Sequence, residues 1–292
     1  MDQAEKLRKH LQKLKNSSAK TIAVLSGKGG VGKSNVSLNL ALGLINSQKR
    51  VLLFDLDIGY GNIDILIGQS SRYSIVDFFE NNKQIDDVIN NGPNGLDYIS
   101  GGTGLSYLFR MKQEQFDDFS SQLETVFNQY DFIIFDMGAG MSGDSLKFML
   151  SVEEMIVVTT PEPTSITDAY SAIKYISMYE KSISISIIVN RAASRKAAHM
   201  SYMRMQTAIE QFLALKASFA GWLPDDRRVS EAVIRQTPFT LLFPKSDAAR
   251  AMQDIVNDCL ARSEGKNFNL VNQSSFMKKM SHFFTKGRIS NE

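Results

Sequence analysis

Cysteine is almost missing from these 292 residues: Cys259 stands alone. One thiol per chain excludes a disulfide framework and any CxxC-type metal or cluster site within a single chain, and it points to a reducing, cytoplasmic setting. Net charge is nearly missing too, with 33 basic and 31 acidic side chains. No global nucleic-acid signature exists, and an electrostatic partner must be sought in local patches. No apolar run approaches the length of a membrane span, and the charged start MDQAEKLRKH has no apolar segment behind it. The expectation is a chain that is neither exported nor membrane-spanning. What remains, 43% hydrophobic and 22% charged residues, is ordinary for a globular protein with a real core.

Three textures follow one another along the chain. Residues 1–19 are short, basic and polar, and end in a linker-like KNSSAK. Residues 20–263 alternate apolar runs with helical patterns. The runs are TIAVLS, RVLLFDLD, LDYIS, YDFIIFD, MIVVTT, SISIIVN and SFAGWL, and helix-like segments such as Ser34–Gln48, Gln113–Asn128, Ser165–Tyr179 and Met200–Lys216 separate most of them. Continuous rather than alternating apolar runs mark strands buried on both faces. Repeated βα units then predict an α/β fold, a doubly wound, mostly parallel sheet of about seven or eight strands flanked by helices, with ligands at the C-terminal strand ends. Residues 264–292 are a polar spacer followed by FMKKMSHFFTKGR.

The stretch Gly27-Lys28-Gly29-Gly30-Val31-Gly32-Lys33-Ser34 satisfies GxxxxGK[ST] between a strand and a helix. Its glycines free backbone N–H groups to face phosphate oxygens. Lys33 then meets the β/γ-phosphates, and the Ser34 hydroxyl can ligate Mg²⁺. Lys28 is one cation more than the loop requires. In FDLDIGYGN, Asp55 reads equally as a cap or as a functional acid. Asp57, followed by Gly59 and Gly61, reads as the carboxylate that orients a water or holds Mg²⁺ through one. YDFIIFDMGAG ends a strand in Asp136, where an NTPase carries its Mg²⁺-supporting acid, and its GAG can bring backbone N–H groups near a γ-phosphate. Asn190 ends another strand, and its amide can pair with an adenine edge.

KGGVGKS with its extra lysine, FDLDIGYGN, FDMGAG and GWLPDDRRVSEAVIRQTPF together resemble the deviant-Walker ATPases of the MinD/ParA type, over about residues 20–263. The DxGAG form and the leading DQAEKLR are most similar to the flagellar-number branch of that family, the FlhG or YlxH type. The resemblance implies a P-loop NTPase fold and slow regulatory hydrolysis of ATP to ADP with Mg²⁺. It also implies an ATP-dependent homodimer in which Lys28 reaches the partner subunit's phosphates. Lys33 would bind the chain's own ATP, Ser34 and Asp136 would serve Mg²⁺, and Asp57 would position the hydrolytic water. Asn190 and the backbone around Pro224–Asp226 would hold adenine.

On a helical wheel, Phe276, Met277, Met280, Phe283 and Phe284 share an arc of about 120°. Lys278, Lys279 and Lys286 lie opposite, and no acid occurs between Gly265 and Asn291. A basic amphipathic helix outside the folded domain reads as a surface element for an anionic membrane, the alternative being a helix docked on the core. At the other end, Ala4, Leu7 and neighbouring leucines share a face among lysines, which suits a partner helix or a disordered basic arm equally. The resemblance implies that Asp2, Gln3, Ala4, Leu7 and Arg8 stimulate the GTPase FlhF, and that the C-ring proteins FliM/FliY are further partners. The expectation is therefore a cytoplasmic switch, peripheral on the inner membrane face when ATP-bound, that controls flagellar number, with no nucleic acid expected. MinD-like division-site placement and ParA-type DNA partition are the alternatives. A metal-cluster ATPase is disfavoured by the single cysteine.

Overall fold

The computed structural model describes residues 19–57, 62–81, 83–101, 113–138, 143–264 and 273–285. Its centre is an eight-stranded sheet in the order β3-β4-β2-β5-β1-β6-β7-β8. The strands are β1 (Lys20–Leu25), β2 (Val51–Leu56), β3 (Asn90–Asn91), β4 (Asp97–Ile99), β5 (Phe132–Met137), β6 (Glu154–Thr159), β7 (Ser184–Ala192) and β8 (Ala217–Pro224). All neighbouring pairs are parallel except β3–β4. β1, β2, β5 and β6 are buried at every position, as strands covered on both faces must be.

Two apolar clusters occupy the two faces. One packs Phe54, Phe119, Phe135, Phe148 and Ile187. The other packs Leu40, Leu44, Phe239, Ile255 and Val256. The flanking helices include α1 (Lys33–Asn46), α2 (Asn62–Ile67), α3 (Ile75–Glu80), α4 (Gln113–Phe127), α5 (Gly143–Ser151), α6 (Pro163–Ser177) and α7 (Arg195–Leu213). They continue through α8 (Arg227–Ile234), α9 (Phe239–Leu242), α10 (Asp247–Glu264) and α11 (Gln273–Thr285). The strand order reverses around β1, so the loop leaving β1 opens at the topological switch point, where such sheets bind ligands.

α11 departs from the expectation of a helix standing off the folded domain. It packs on α5 and α4, burying Phe276, Met277 and Met280. The Phe276 ring stacks on Phe135 at 5.4 Å and 10° and lies 5.3 Å from Phe127. The same apolar arc that fits a lipid surface fits a protein groove, and amphipathicity alone does not choose between them. Lys278 faces solvent and Lys279 is half-buried. The side chains of Phe283 and Phe284, all of Lys286, and the N-terminal residues Asp2, Gln3, Ala4, Leu7 and Arg8 lie outside the described residues.

Candidate nucleotide site

The phosphate loop is shaped by contacts that only glycine permits. A Cβ on Gly27 would stand 2.0 Å from the Asp168 carbonyl carbon, so α6 presses directly on the loop backbone. Gly32 holds φ 91°, a left-handed geometry, as the N-cap of α1. A Cβ there would meet the Asn190 amide nitrogen at 2.4 Å. That amide donates to the Val31 carbonyl at 2.8 Å, and the Asn190 carbonyl oxygen accepts from the Arg191 N–H. Asn190 thus braces the loop. Val31 is buried in the core and anchors the loop's other flank.

Lys33, buried, places its ammonium 2.7 Å from Asp136 Oδ1 and 3.4 Å from the Ser34 hydroxyl. Ser37 donates to the same carboxylate oxygen at 2.9 Å. The other oxygen, Oδ2, is buried with no hydrogen-bond partner. A carboxylate oxygen left this way carries a desolvation penalty. An unpartnered carboxylate oxygen and, beside the same lysine, the Ser34 hydroxyl are oxygen donors of the kind a hard cation takes.

Three acids surround this point. Asp55 and Asp136 are register partners on adjacent strands. Burial, then repulsion from Asp136, pushes the Asp55 carboxyl up to about 7. Asp55 accepts the backbone N–H groups of Asp57 and Ile63 at 3.0 and 3.3 Å, tying the end of β2 to the start of α2. The cap reading of Asp55 therefore describes its contacts. Asp57 is half-buried, and its carboxyl is raised by burial and by Asp136 against the opposing pull of Lys33. Asn62 Nδ2 donates to its Oδ2 at 2.7 Å. Asp57 and Asn62 line a cleft of about 430 Å³ with Ser26, Gly29, Gly30, Lys33, Ser34 and Arg191.

A model of the ParA family, described as NUBPL iron-transfer P-loop NTPase, matches residues 17–260. The antiactivator FleN of Pseudomonas aeruginosa is 31% identical over 80% of this chain and 84% of its own. The chain belongs to the ParA/MinD family of P-loop ATPases. A further relative of this ATPase is the flagellum site-determining protein YlxH of Helicobacter pylori, 28% identical over 90% of each chain. Among solved structures, MinD of Aquifex aeolicus superposes with TM-score 0.65 at 26% identity, covering 83% of this chain and 97% of that one. The Pyrococcus furiosus cell division ATPase MinD shares the fold, with TM-score 0.68 over 84% and 99% of the two chains at 21% identity. Iron transfer does not follow from the family description. Cys259 is fully buried, and burial pushes its thiol up to about 12, far from the thiolate a metal needs.

The loop's second lysine, Lys28, does not point into its own cleft. Lys28 Nζ lies 3.0 Å from Glu162 Oε2 and 3.4 Å from the Thr164 hydroxyl, at the start of α6. Pro224 and Asp226 are not on the wall of the cleft. Asp226 caps α8, accepting the Arg228 N–H and pairing with the Arg228 side chain at 2.9 Å. Sequence reasoning missed Ser37, Asn62, Glu162 and Arg191. Ser37 lies one helical turn beyond Lys33 and so shares its face, which could have flagged it. Glu162 is 134 positions from Lys28, and no local pattern reports such a contact.

Proposed function

We propose that this ATPase is a two-chain switch that dimerises with ATP, docks on an anionic membrane and regulates flagellar number and assembly. The observation that carries the reading is the placement of the tail. Phe276 stacks on Phe135, the chain neighbour of Asp136, and α11 rides on α5, the helix that follows the FDMGAG segment. A change at the γ-phosphate therefore has a short packed route to the lipid-seeking face.

Within one chain, Lys33 leaves Asp136 for the β/γ-phosphates of ATP. Ser34 and Asp136 would hold Mg²⁺, directly or through water, and the metal would supply charge neutralisation at the phosphate oxygens. Asp57, steadied by Asn62, orients the attacking water. Asn190 and the Pro224–Asp226 turn, at the C-terminal ends of β7 and β8, take the adenine. Lys28 gives up Glu162 and reaches the partner chain's phosphates, so that hydrolysis dissolves the dimer. Mg-ADP in MinD of Pyrococcus horikoshii, of the same fold, supports the nucleotide and metal assignment.

Undocked, α11 offers Phe276, Met277, Met280, Phe283 and Phe284 to lipid, flanked by lysines each contributing about 1 kcal/mol near an anionic surface. One such helix is a weak anchor. Two on a dimer gain by effective concentration. The name of YlxH, a flagellum site-determining protein, favours a flagellar rather than a septal role. FlhF, met through Asp2, Gln3, Ala4, Leu7 and Arg8, and the C-ring proteins FliM/FliY are the partners we propose. Sedimentation with anionic vesicles tests the reading: the Asp57→Ala chain should pellet with ATP, and neither with ADP nor after deletion of residues 273–292. Equal pelleting in all three conditions would refute it.

A further inference from the structure

A second polar cavity, of about 520 Å³, opens at the β3 edge of the sheet, and Arg72, Tyr73, Lys83, Asn91 and Tyr98 stand on its wall. The Arg72 guanidinium carbon lies 5.2 Å from the Tyr73 ring centre, and Lys83 Nζ lies 4.5 Å from the same centre. Two positive charges are thus held no more than about 10 Å apart, close to the screening length at physiological salt. Among the described residues neither forms an ion pair. The acid on the wall, Asp87, is engaged as a cap by the Gln84 N–H.

The frame is pinned as well. The Asn90 side chain accepts the Arg72 N–H at 2.9 Å and donates to the carbonyls of Tyr73 and Val88 at 2.8 and 3.0 Å. Two cations on one ring, neither in an ion pair among the described residues, favour a multivalent anion over the already engaged Asp87. We propose that this cavity is a second anion site, which takes a small ligand bearing phosphoryl groups, separate from ATP at the phosphate loop. A phosphoryl group concentrates nearly two charges and three acceptor oxygens in one compact unit. The Arg72 fork matches that geometry, and Lys83 adds a mobile point charge. The cavity is also somewhat larger than the phosphate-loop cleft. Tyr98 on its wall donates to Asp64 at 2.8 Å. Asp64 belongs to α2, whose Asn62, Ile65 and Leu66 line the nucleotide cleft, so one helix joins the two cavities.

Amide-resolved NMR of the full chain, titrated with inorganic pyrophosphate without Mg²⁺, tests the site. Saturable shifts are expected at Arg72, Tyr73, Lys83 and Asn91. They should weaken at least about tenfold in Arg72→Gln/Lys83→Gln, while the response of the Gly29–Lys33 loop is unaltered. Should the double variant fold poorly, Lys83→Gln alone should weaken the same shifts and spare the loop. Absence of saturable shifts at these four residues, or unchanged affinity in the variants, would overturn the proposal. An equal or stronger response to succinate, which carries carboxylates and no phosphoryl group, would overturn the phosphoryl assignment.

Discussion

Phe127→Ala loosens the seat of the tail helix without altering the tail. Phe127 is 8% exposed, and its ring centre lies 5.3 Å from Phe276 and 6.3 Å from Phe135. Truncating a buried phenylalanine costs about 3–5 kcal/mol in total. Most of that falls on α4 and the sheet. The share felt by α11 is one aromatic pairing plus one side of the Phe276 burial, about 1–2 kcal/mol, which shifts the docked-to-released ratio about 5–30-fold. Hydrogen exchange over residues 273–285 should accelerate by that factor. Anionic vesicles should then capture the chain in ADP, where the parent chain stays in solution. Faster exchange in α4 with unchanged exchange in α11 would refute the idea that this groove holds the tail.

Asn62→Ala frees the Asp57 carboxylate from its 2.7 Å bond; steady-state kinetics should give kcat about tenfold lower with KM for ATP within about twofold. Gly27→Ala forces a methyl onto the Asp168 backbone at 2.0 Å, and fluorescent ATP analogues should lose binding by about a hundredfold or more. Glu154 is buried against Lys20 and Arg262; burial raises its carboxyl, but the two cations outweigh burial and hold it below the usual glutamate value of 4.5. A depressed folded-state value means that the contribution is complete above pH 4.5 and is lost as pH falls through the folded value. Urea titrations should therefore show Glu154→Gln costing about 3–5 kcal/mol at pH 7, and clearly less once the pH lies below the glutamate range.

The parallel strands were legible because both their faces are buried, which writes each as an unbroken apolar run such as YDFIIFD. β3 was not: Asn90–Asn91 carries no apolar signal, and its pairing is imposed by β4. That the phosphate loop, Asp57 and Asp136 gather at one end of the sheet was legible, because such residue types at strand ends leave a local pattern. Their supports could not. The Asn190 amide reads as a base-edge partner, and its 2.8 Å bond to the Val31 carbonyl, 159 positions away, is a loop brace that no local pattern reports. The tail's amphipathic arc was correct as a pattern, yet its present neighbour is Phe135 rather than lipid. Choosing between a groove and a membrane requires knowing that α4, β5 and α5 leave a groove of matching shape.

The proposed working unit is two chains joined by ATP, with Lys28 crossing between them. Size-exclusion chromatography with light scattering on Asp57→Ala in Mg-ATP measures this directly, beside the same chain carrying Lys28→Ala. A dimer is expected for the first and a monomer for the second, with ATP still bound to both. A full dimer in the Lys28→Ala chain would contradict it.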